Sequence, residues 1–483
     1  SEFKINRPVL VDTLKRQYAT LTDADLVVEQ IDSLLADNTF TVTTAHQPSL
    51  FTGPLYFVYK IISTIVLAEQ LRAKYPEQQF VPVFVIGGED HDFEEVNHLH
   101  LFNKTISWES GESGAVGQMN TESLQPVLAE LKDLLGNSES AEKVYQLIHA
   151  SHTQHSQYGK AVQAMVHELF HRFGLVVLNM NDRALKQLFV PLIKEEVLRR
   201  RSKALVEKMA ASLESLGFGQ QATAREINFF YLKDQLRSRI VFEEGQYQVL
   251  DTPIRFSEAQ MIQEIEQYPE RFSPNVIMRP LYQELILPNL AYIGGGGELA
   301  YWMERPDQFA AFGLNFPMLI RRNSVMWLDK NTVKKLKKLK FDLSEIFEDT
   351  EVLVKRLVNR KATNSLSLAA EKKALNALFE GVIQKTRQID PTLVKTAAAE
   401  QSKQIKSLEQ LEGRLIRAEK QKHEVAIKQL RNLKEKLFPS NGLQERHDNF
   451  LSLYLKYGDA FFDTLKKHLN PLEKGFIVIV DEA

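Results

Sequence analysis

Short apolar runs alternate with longer stretches of helical periodicity through the first two thirds of the chain. Phe40 to Thr44 reads as a β-branched strand, because branched side chains suit a pleated surface. A loop bearing proline and glycine runs from Gln47 to Pro54, after which Val58, Ile61, Ile62, Ile65 and Leu71 recur at the spacing of one helix face. Phe80 to Ile86 is apolar without interruption and stops at Gly87 and Gly88. An unbroken run of this length suits a strand covered on both faces, as in a parallel sheet. Leu175 to Leu178 repeats the pattern behind a helix carrying Ala161, Met165, Leu169 and Phe170. Strand, helix and strand in succession predict βαβ units and a doubly wound α/β fold. Further strands are expected at Val276 to Met278, Leu290 to Ile293 and Met318 to Ile320. Residues 108–156 and 204–272 break the rhythm and read as insertions, the second with a hairpin at Glu244-Gly245.

From Lys330 to about Leu437 the chain turns to Lys, Glu, Leu, Ala and Gln with few glycines. Leu408, Leu411, Leu415, Ala418, Lys422, Ala426, Leu430, Leu433 and Leu437 are spaced 3, 4, 3, 4, 4, 4, 3 and 4 apart. That is a heptad stripe with one stutter near Lys422, and it predicts an α-helical coiled coil. The basic run Lys334 to Lys340 reads as a solvated face of these helices, the alternative being a nucleotide-phosphate contact. Pro439 to Gly442 ends the helical region, and a last strand is expected at Phe476 to Val480. Three parts follow: a core over 1–329, a coiled coil over 330–438, and a C-terminal segment over 439–483 that packs back on the core.

Composition narrows the chemistry. The chain has 483 residues, with 60 Lys+Arg against 62 Asp+Glu, a net charge of -2. This balance provides no global field for nucleic acid or an anionic membrane, and neither is an expected partner. No apolar stretch approaches the ~18 residues of a membrane span, and the first residues lack a secretory pattern, so a cytoplasmic location is expected. Cysteine is absent, which excludes disulfides, thiolate metal sites and cysteine nucleophiles.

Ligands of open parallel sheets bind beyond the carboxyl ends of the strands, and three polar clusters fall at those ends. Glu89, Asp90, His91 and Asp92 follow Gly87-Gly88, with Asn97 and His98 just beyond. Crowded carboxylates repel one another unless a cation or a donor network occupies the site. They could grip an amine, sugar hydroxyls or a divalent metal, with His91 as a base; a solvated helix N-terminus is the alternative. His46, Gln47, Thr52, Gly53 and Lys60 make a strand-loop-helix entry suited to phosphate or carboxylate, or else a tight turn with a snorkelling lysine. Gly294, Gly295, Gly296 and Gly297 precede Glu298 and Tyr301 and form an anion cradle. They are not a dinucleotide fingerprint, since the third glycine of that motif falls on Leu299. A Walker A loop is also absent, because Gly159-Lys160 has Gln154 at the required first glycine. Arg279, Glu284, Arg321 and Arg322 flank this half, as anion partners or as structural ion pairs.

Taken together, AHQPSLFTGPLYFVYKI over 45–61, GEDHDFEEVNH over 88–98 and RPLYQELILPNLAYIGGGGELAYW over 279–302 resemble the cysteine-adding enzymes of bacillithiol biosynthesis, a cysteine ligase family. LQER over 443–446 and YLKYG over 454–458 extend the likeness over nearly the whole chain. Ala45 departs from the pattern, standing where a glycine is expected. The resemblance implies a nucleotidylyltransferase-like Rossmann core with two connective insertions and an antiparallel coiled coil that makes a homodimer. It also implies the last step of bacillithiol synthesis, the joining of L-cysteine to the amine of glucosaminyl-malate. Amide formation from a free carboxylate needs an activated acyl group, so ATP is expected, with Mg²⁺ as a candidate ion. On this reading Glu89, Asp90 and Asp92 hold an ammonium or sugar, and His91 takes the proton of the amine. Thr52, Gly53, Lys60 and Gly294 to Gly297 bind phosphate or carboxylate, and Arg279 or Arg321 faces malate. The rival readings are a nucleotidyl- or glycosyltransferase on another small substrate, and a coiled-coil scaffold without catalysis.

Overall fold

Among the described residues, five parallel strands form the central sheet: β1 (Thr39–His46), β2 (Gln79–Ile86), β3 (Val176–Asn179), β4 (Asn289–Gly294) and β5 (Met318–Arg321), in the order β5-β4-β1-β2-β3. The computed structural model describes residues 4–362 and 366–481. β1 and β2 run in register from Thr39 beside Gln79 to His46 beside Ile86. Alternate residues of a strand face opposite sides, and both sides of this sheet are covered. Val42, Phe80, Ala291 and Ile293 pack with Leu67 and Ala68 of helix α1 (Tyr56–Lys74). Val81, Val83, Val85, Val176 and Leu178 join the larger core, which contains helix Arg7–Tyr18, helix α3 (Arg183–Arg199) and helix α4 (Arg279–Ile286). Helix α2 (Tyr158–Phe170) leads into β3, and helix α5 (Gly296–Met303) follows β4. The unbroken apolar run of β2 thus has its cause in burial on two faces.

The expected strand at Val276 to Met278 is instead a turn. Asn275 Oδ1 accepts from Ile277 N–H at 2.9 Å and Met278 N–H at 3.3 Å, a local bonding pattern that competes with extended backbone. The strand of this region is Phe272–Pro274, at the edge of an antiparallel sheet of five strands built from the second insertion. The hairpin at Glu244 and Gly245 is present, both residues having positive φ as a tight two-residue turn requires.

The chain divides into two units, one running to Val325 and resuming over Glu445–Ile477, the other comprising Met326–Gln444 and the chain from Val478. In the second unit, helices α6 (Lys330–Leu339), α7 (Thr350–Lys361) and α10 (Glu424–Leu437) enclose a core that includes Leu336, Leu353, Leu357, Leu430, Leu433 and Leu437. Helices α8 (Ala369–Ile389) and α9 (Val394–Lys422) form an antiparallel pair, tied by Lys372 to Glu412 at 3.0 Å. The heptad stripe therefore splits at its stutter, where His423 separates α9 from α10. Its second half is core, while Leu411 and Leu415 in the first half are exposed. The lysines of the basic run lie on the exposed side of α6, with Leu336 and Leu339 buried beneath.

Candidate functional site

Because the five strands run parallel, their carboxyl ends share one edge of the sheet, where a cavity of about 580 Å³ opens. All five exits contribute to its lining: His46 and Gln47 after β1, Gly88 to Asp90 after β2, Asn181 after β3, Gly295 to Glu298 after β4, and Arg322 after β5. The segments that follow β1, β2 and β4 bring part of each cluster, far apart in sequence, onto one space.

β2 delivers the acidic cluster through a close backbone crossing. Gly117 N–H donates to the Gly88 carbonyl at 2.8 Å, and a Cβ on Gly117 would lie 2.8 Å from that oxygen. Beyond the crossing, Glu89 Oε1 lies 2.7 Å from Lys186 of α3, whose side chain is fully buried and also donates to the Phe272 carbonyl at 2.7 Å. Asp90 accepts from Gln47 Nε2 at 2.8 Å and from Arg237 at 3.2 Å. Burial pushes the Asp90 carboxyl up, but hydrogen bonding by His91 and the charge of Arg237 outweigh it, so the group sits well below the usual carboxylate range. The crowding of 89–92 is thus relieved by cations of the chain itself. Those cations escaped sequence reading because Lys186 and Arg237 are distant in the chain and carry no local motif.

Arg237 also hydrogen-bonds His91 at Nδ1. The same ring nitrogen lies 3.5 Å from Asp90 Oδ1, so His91 Nδ1 faces both the guanidinium and the carboxylate. Its Nδ1 is therefore engaged by neighbouring side chains. His91, Asp92 and Asn97 do not line the cavity; Asn97 Nδ2 instead donates to the Trp108 carbonyl at 3.2 Å. Among the described residues, no group of three or more His, Asp and Glu side chains is arranged to hold a metal ion.

On the opposite side of the site, Gly295 caps α5 and its N–H donates to Glu298 Oε2 at 2.7 Å. Glu298 Oε1 accepts from Lys60 at 2.7 Å and from Tyr292 at 3.1 Å. Lys60 is 1% exposed, lies outside the lining, and donates further to the Ala45 carbonyl. Burial lowers its pKa, and the Glu298 carboxylate works against that. Lys60 is therefore the counter-ion of Glu298. Thr52 and Gly53 also lie outside the cavity. Phe51, Thr52 and Gly53 all have positive φ, which is costly for a β-branched residue such as Thr52. The strained turn is held by Asn449 Nδ2, which donates to the carbonyls of Phe51 at 3.0 Å and Gly53 at 2.6 Å. Arg321 is exposed and does not line the cavity, whereas Arg279 and Tyr301 do, 3.4 Å from each other.

His46 Nδ1 lies 2.9 Å from the Gln47 carbonyl, which can only accept, so Nδ1 carries the proton and Nε2 accepts from Tyr56 at 3.2 Å. Burial, followed by the charge of Lys60, pushes His46 down to about 4. Burial likewise brings His152 to about 4. Between the ordinary histidine value of ~6.5 and about 4, the unfolded chain binds protons that the folded chain does not. Stability is accordingly expected to be retained above pH ~6.5 and to decline as pH falls toward 4. Thermal melts from pH 7 to pH 5 check this, and His46→Gln should flatten the slope.

The returning C-terminal segment supplies a further wall. Glu445 pairs with Arg322 at 2.8 Å and accepts from Val325 N–H at 2.9 Å, which sets Arg446 and His447 in the lining. LQER was legible as a motif, but its destination was not.

The family description "Bacillithiol biosynthesis BshC, N-terminal Rossmann-like domain" matches residues 1–323, and "Bacillithiol biosynthesis BshC, C-terminal coiled-coil domain" matches residues 325–480. A protein of Flavobacterium johnsoniae provisionally named cysteine ligase BshC is 41% identical over 474 residues, covering 98% of this chain and 89% of its own. Relatives with the same name in Cytophaga hutchinsonii and Salinibacter ruber are 36% and 32% identical, with 98% and 96% of this chain and 88% and 87% of theirs covered. Among solved structures, the chain is similar to tyrosyl-tRNA synthetase from Archaeoglobus fulgidus, with 11% identity, a TM-score of 0.23, and coverage of 88% of this chain and 99% of that one. Among the described residues, no helix is long and apolar enough to cross a membrane. The two family matches together take in nearly all of the chain, and the protein belongs to the bacillithiol biosynthesis BshC family.

Proposed function

We propose that this protein is a carbon-nitrogen ligase that joins L-cysteine to the amino group of glucosaminyl-malate in the cavity at the strand ends. The observation that carries this reading is the convergence of Glu89 and Asp90, the His46-Gln47 turn and the Gly295 to Glu298 turn on one cavity in a chain of this family. The names of its relatives, cysteine ligases, support it. Oxide is too poor a leaving group for direct amide formation, so the cysteine carboxylate is first activated by ATP as a carboxyl phosphate or adenylate. Asp90, and Glu89 beside it, offer carboxylates to an ammonium. The N–H groups of Gly296 and Gly297, at the N-terminus of α5, face the anionic part of a substrate. Arg279 lines the cavity opposite a malate carboxylate. Mg²⁺ would serve as the counter-ion of the nucleotide phosphates. The test is mass spectrometry of purified protein incubated with ATP, L-cysteine and glucosaminyl-malate. A new thiol with the mass of the amide is expected, and nucleotide transfer to the sugar without cysteine incorporation would refute the reading.

The same proposal includes a homodimer through α8 and α9. Leu378, Val382, Leu411 and Leu415 are 60%, 39%, 48% and 39% exposed on this helix pair, an apolar face that a second copy would cover. Light scattering is expected to give twice the chain mass for the parent and the monomer mass for Leu411→Glu with Leu415→Glu. A monomeric parent at micromolar concentration would refute the dimer.

A further inference from the structure

Making an amide from an amine requires a group to receive the proton that nitrogen loses, and the charged side chains after β1, β2 and β4 are poorly placed for it. Glu89, Asp90 and Glu298 are each engaged with a cation, Lys186, Arg237 and Lys60 respectively. His91 has its Nδ1 occupied by Arg237 and lies outside the cavity. His46 is pushed down to about 4 and already accepts from Tyr56.

Three further imidazoles line the cavity: His98 and His100 from one strand of a small hairpin, and His447 from the returning segment. The rings of His100 and His447 are stacked, 4.1 Å between centroids and 3° from parallel. Burial, then the neighbouring His447 and His98, lower the proton affinity of His100. His98 Nδ1 faces the amide oxygen of Asn97 at 3.1 Å. His447 Nδ1 faces a carboxylate, Asp448 Oδ1, at 2.9 Å. That difference decides among them. A carboxylate on Nδ1–H fixes the tautomer, leaves Nε2 as the proton acceptor, and stabilises the imidazolium that forms, whereas an amide oxygen does only the first two.

The backbone around His447 is held on both sides. Leu55 N–H donates to the Asp448 carbonyl at 2.8 Å, Asn449 N–H donates to the His100 carbonyl at 3.0 Å, and the Asn449 side chain grips the strained turn at 51–53. A side chain fixed in this way meets the positional demand of proton transfer.

We propose that His447 is the general base of amide formation, oriented by Asp448. This rests on the reading of the cavity as an amide-forming site. The amine nitrogen of the acceptor attacks the activated cysteinyl carbon with its lone pair and forms the C–N bond. The bond from that carbon to the phosphate or adenylate oxygen breaks, and its electron pair leaves with the oxygen. The N–H proton passes to His447 Nε2 and then to water.

Hydroxylamine separates the steps, because it captures an activated acyl group as a hydroxamate and is largely unprotonated near neutrality, so it needs no protein base. For His447→Gln, formation of cysteine hydroxamate from ATP and cysteine is expected to stay within about threefold of the parent. Amide formation with glucosaminyl-malate should fall by ~10²–10⁴-fold. Retained hydroxamate formation also reports a folded protein. Asp448→Asn should lower amide formation in the same selective manner. Amide formation unchanged in His447→Gln, or both products lost together, would overturn the assignment. A parent that forms neither product overturns the ligase reading itself, and the base assignment falls with it.

Discussion

Replacing Glu298 by Ala is expected to destabilise the protein by about 3–5 kcal/mol, the cost of leaving one partner of a buried ion pair uncompensated. Lys60 is 1% exposed, so its ammonium cannot turn to water when the carboxylate is removed. The Gly295 N–H and the Tyr292 hydroxyl lose their acceptor in the same step. Lys60→Met should cost less, because the Glu298 side chain is 28% exposed and its charge can be partly hydrated. The double variant should recover part of the loss of Glu298→Ala, since no buried charge is then stranded. Denaturant midpoints of the four proteins measure the coupling. A loss below about 1 kcal/mol for Glu298→Ala would show that the pair does not organise this wall.

The second large effect concerns catalysis. Asp90→Asn is expected to lower the rate of amide formation at least ~10²-fold, the scale on which a preorganised charge acts in a sheltered site. Asp90 holds Gln47 and Arg237 at the cavity wall and presents the carboxylate we assign to a substrate ammonium. The asparagine keeps the shape and can still accept from Arg237, so the melting temperature should change far less than the rate. Product formation within threefold of the parent would remove Asp90 from the reaction.

Much of the core was legible in the sequence because its signals are local. An apolar run closed by Gly87 and Gly88 suits a strand buried on two faces, and the glycine run from Gly294 marks the entry to α5. The sequence was less informative where a short-range pattern had two solutions. Val276 to Met278 has strand composition, yet the Asn275 side chain captures the N–H groups that a strand would need. Lys60 sits at a suitable distance from a turn for phosphate, yet its partner Glu298 lies 238 residues away. His91 has the chemistry of a base, and its engagement by Arg237, distant in the chain, shows only in the fold.

The sequence by itself determined the parallel α/β core, the helical region with its heptads, the absence of cysteine side chains, and the three clusters at strand ends. Periodicity, glycine placement and composition are properties of neighbouring residues, so they can be read along the chain. Only the tertiary structure decided which charges neutralise one another and which remain for a ligand. Lys186 meets Glu89, Arg237 meets Asp90, and Asp448 orients a histidine placed against β-hairpin residue His100 by a segment that returns after more than a hundred residues. Electrostatic pairing depends on distance in space and on burial, and neither is written in the order of the residues.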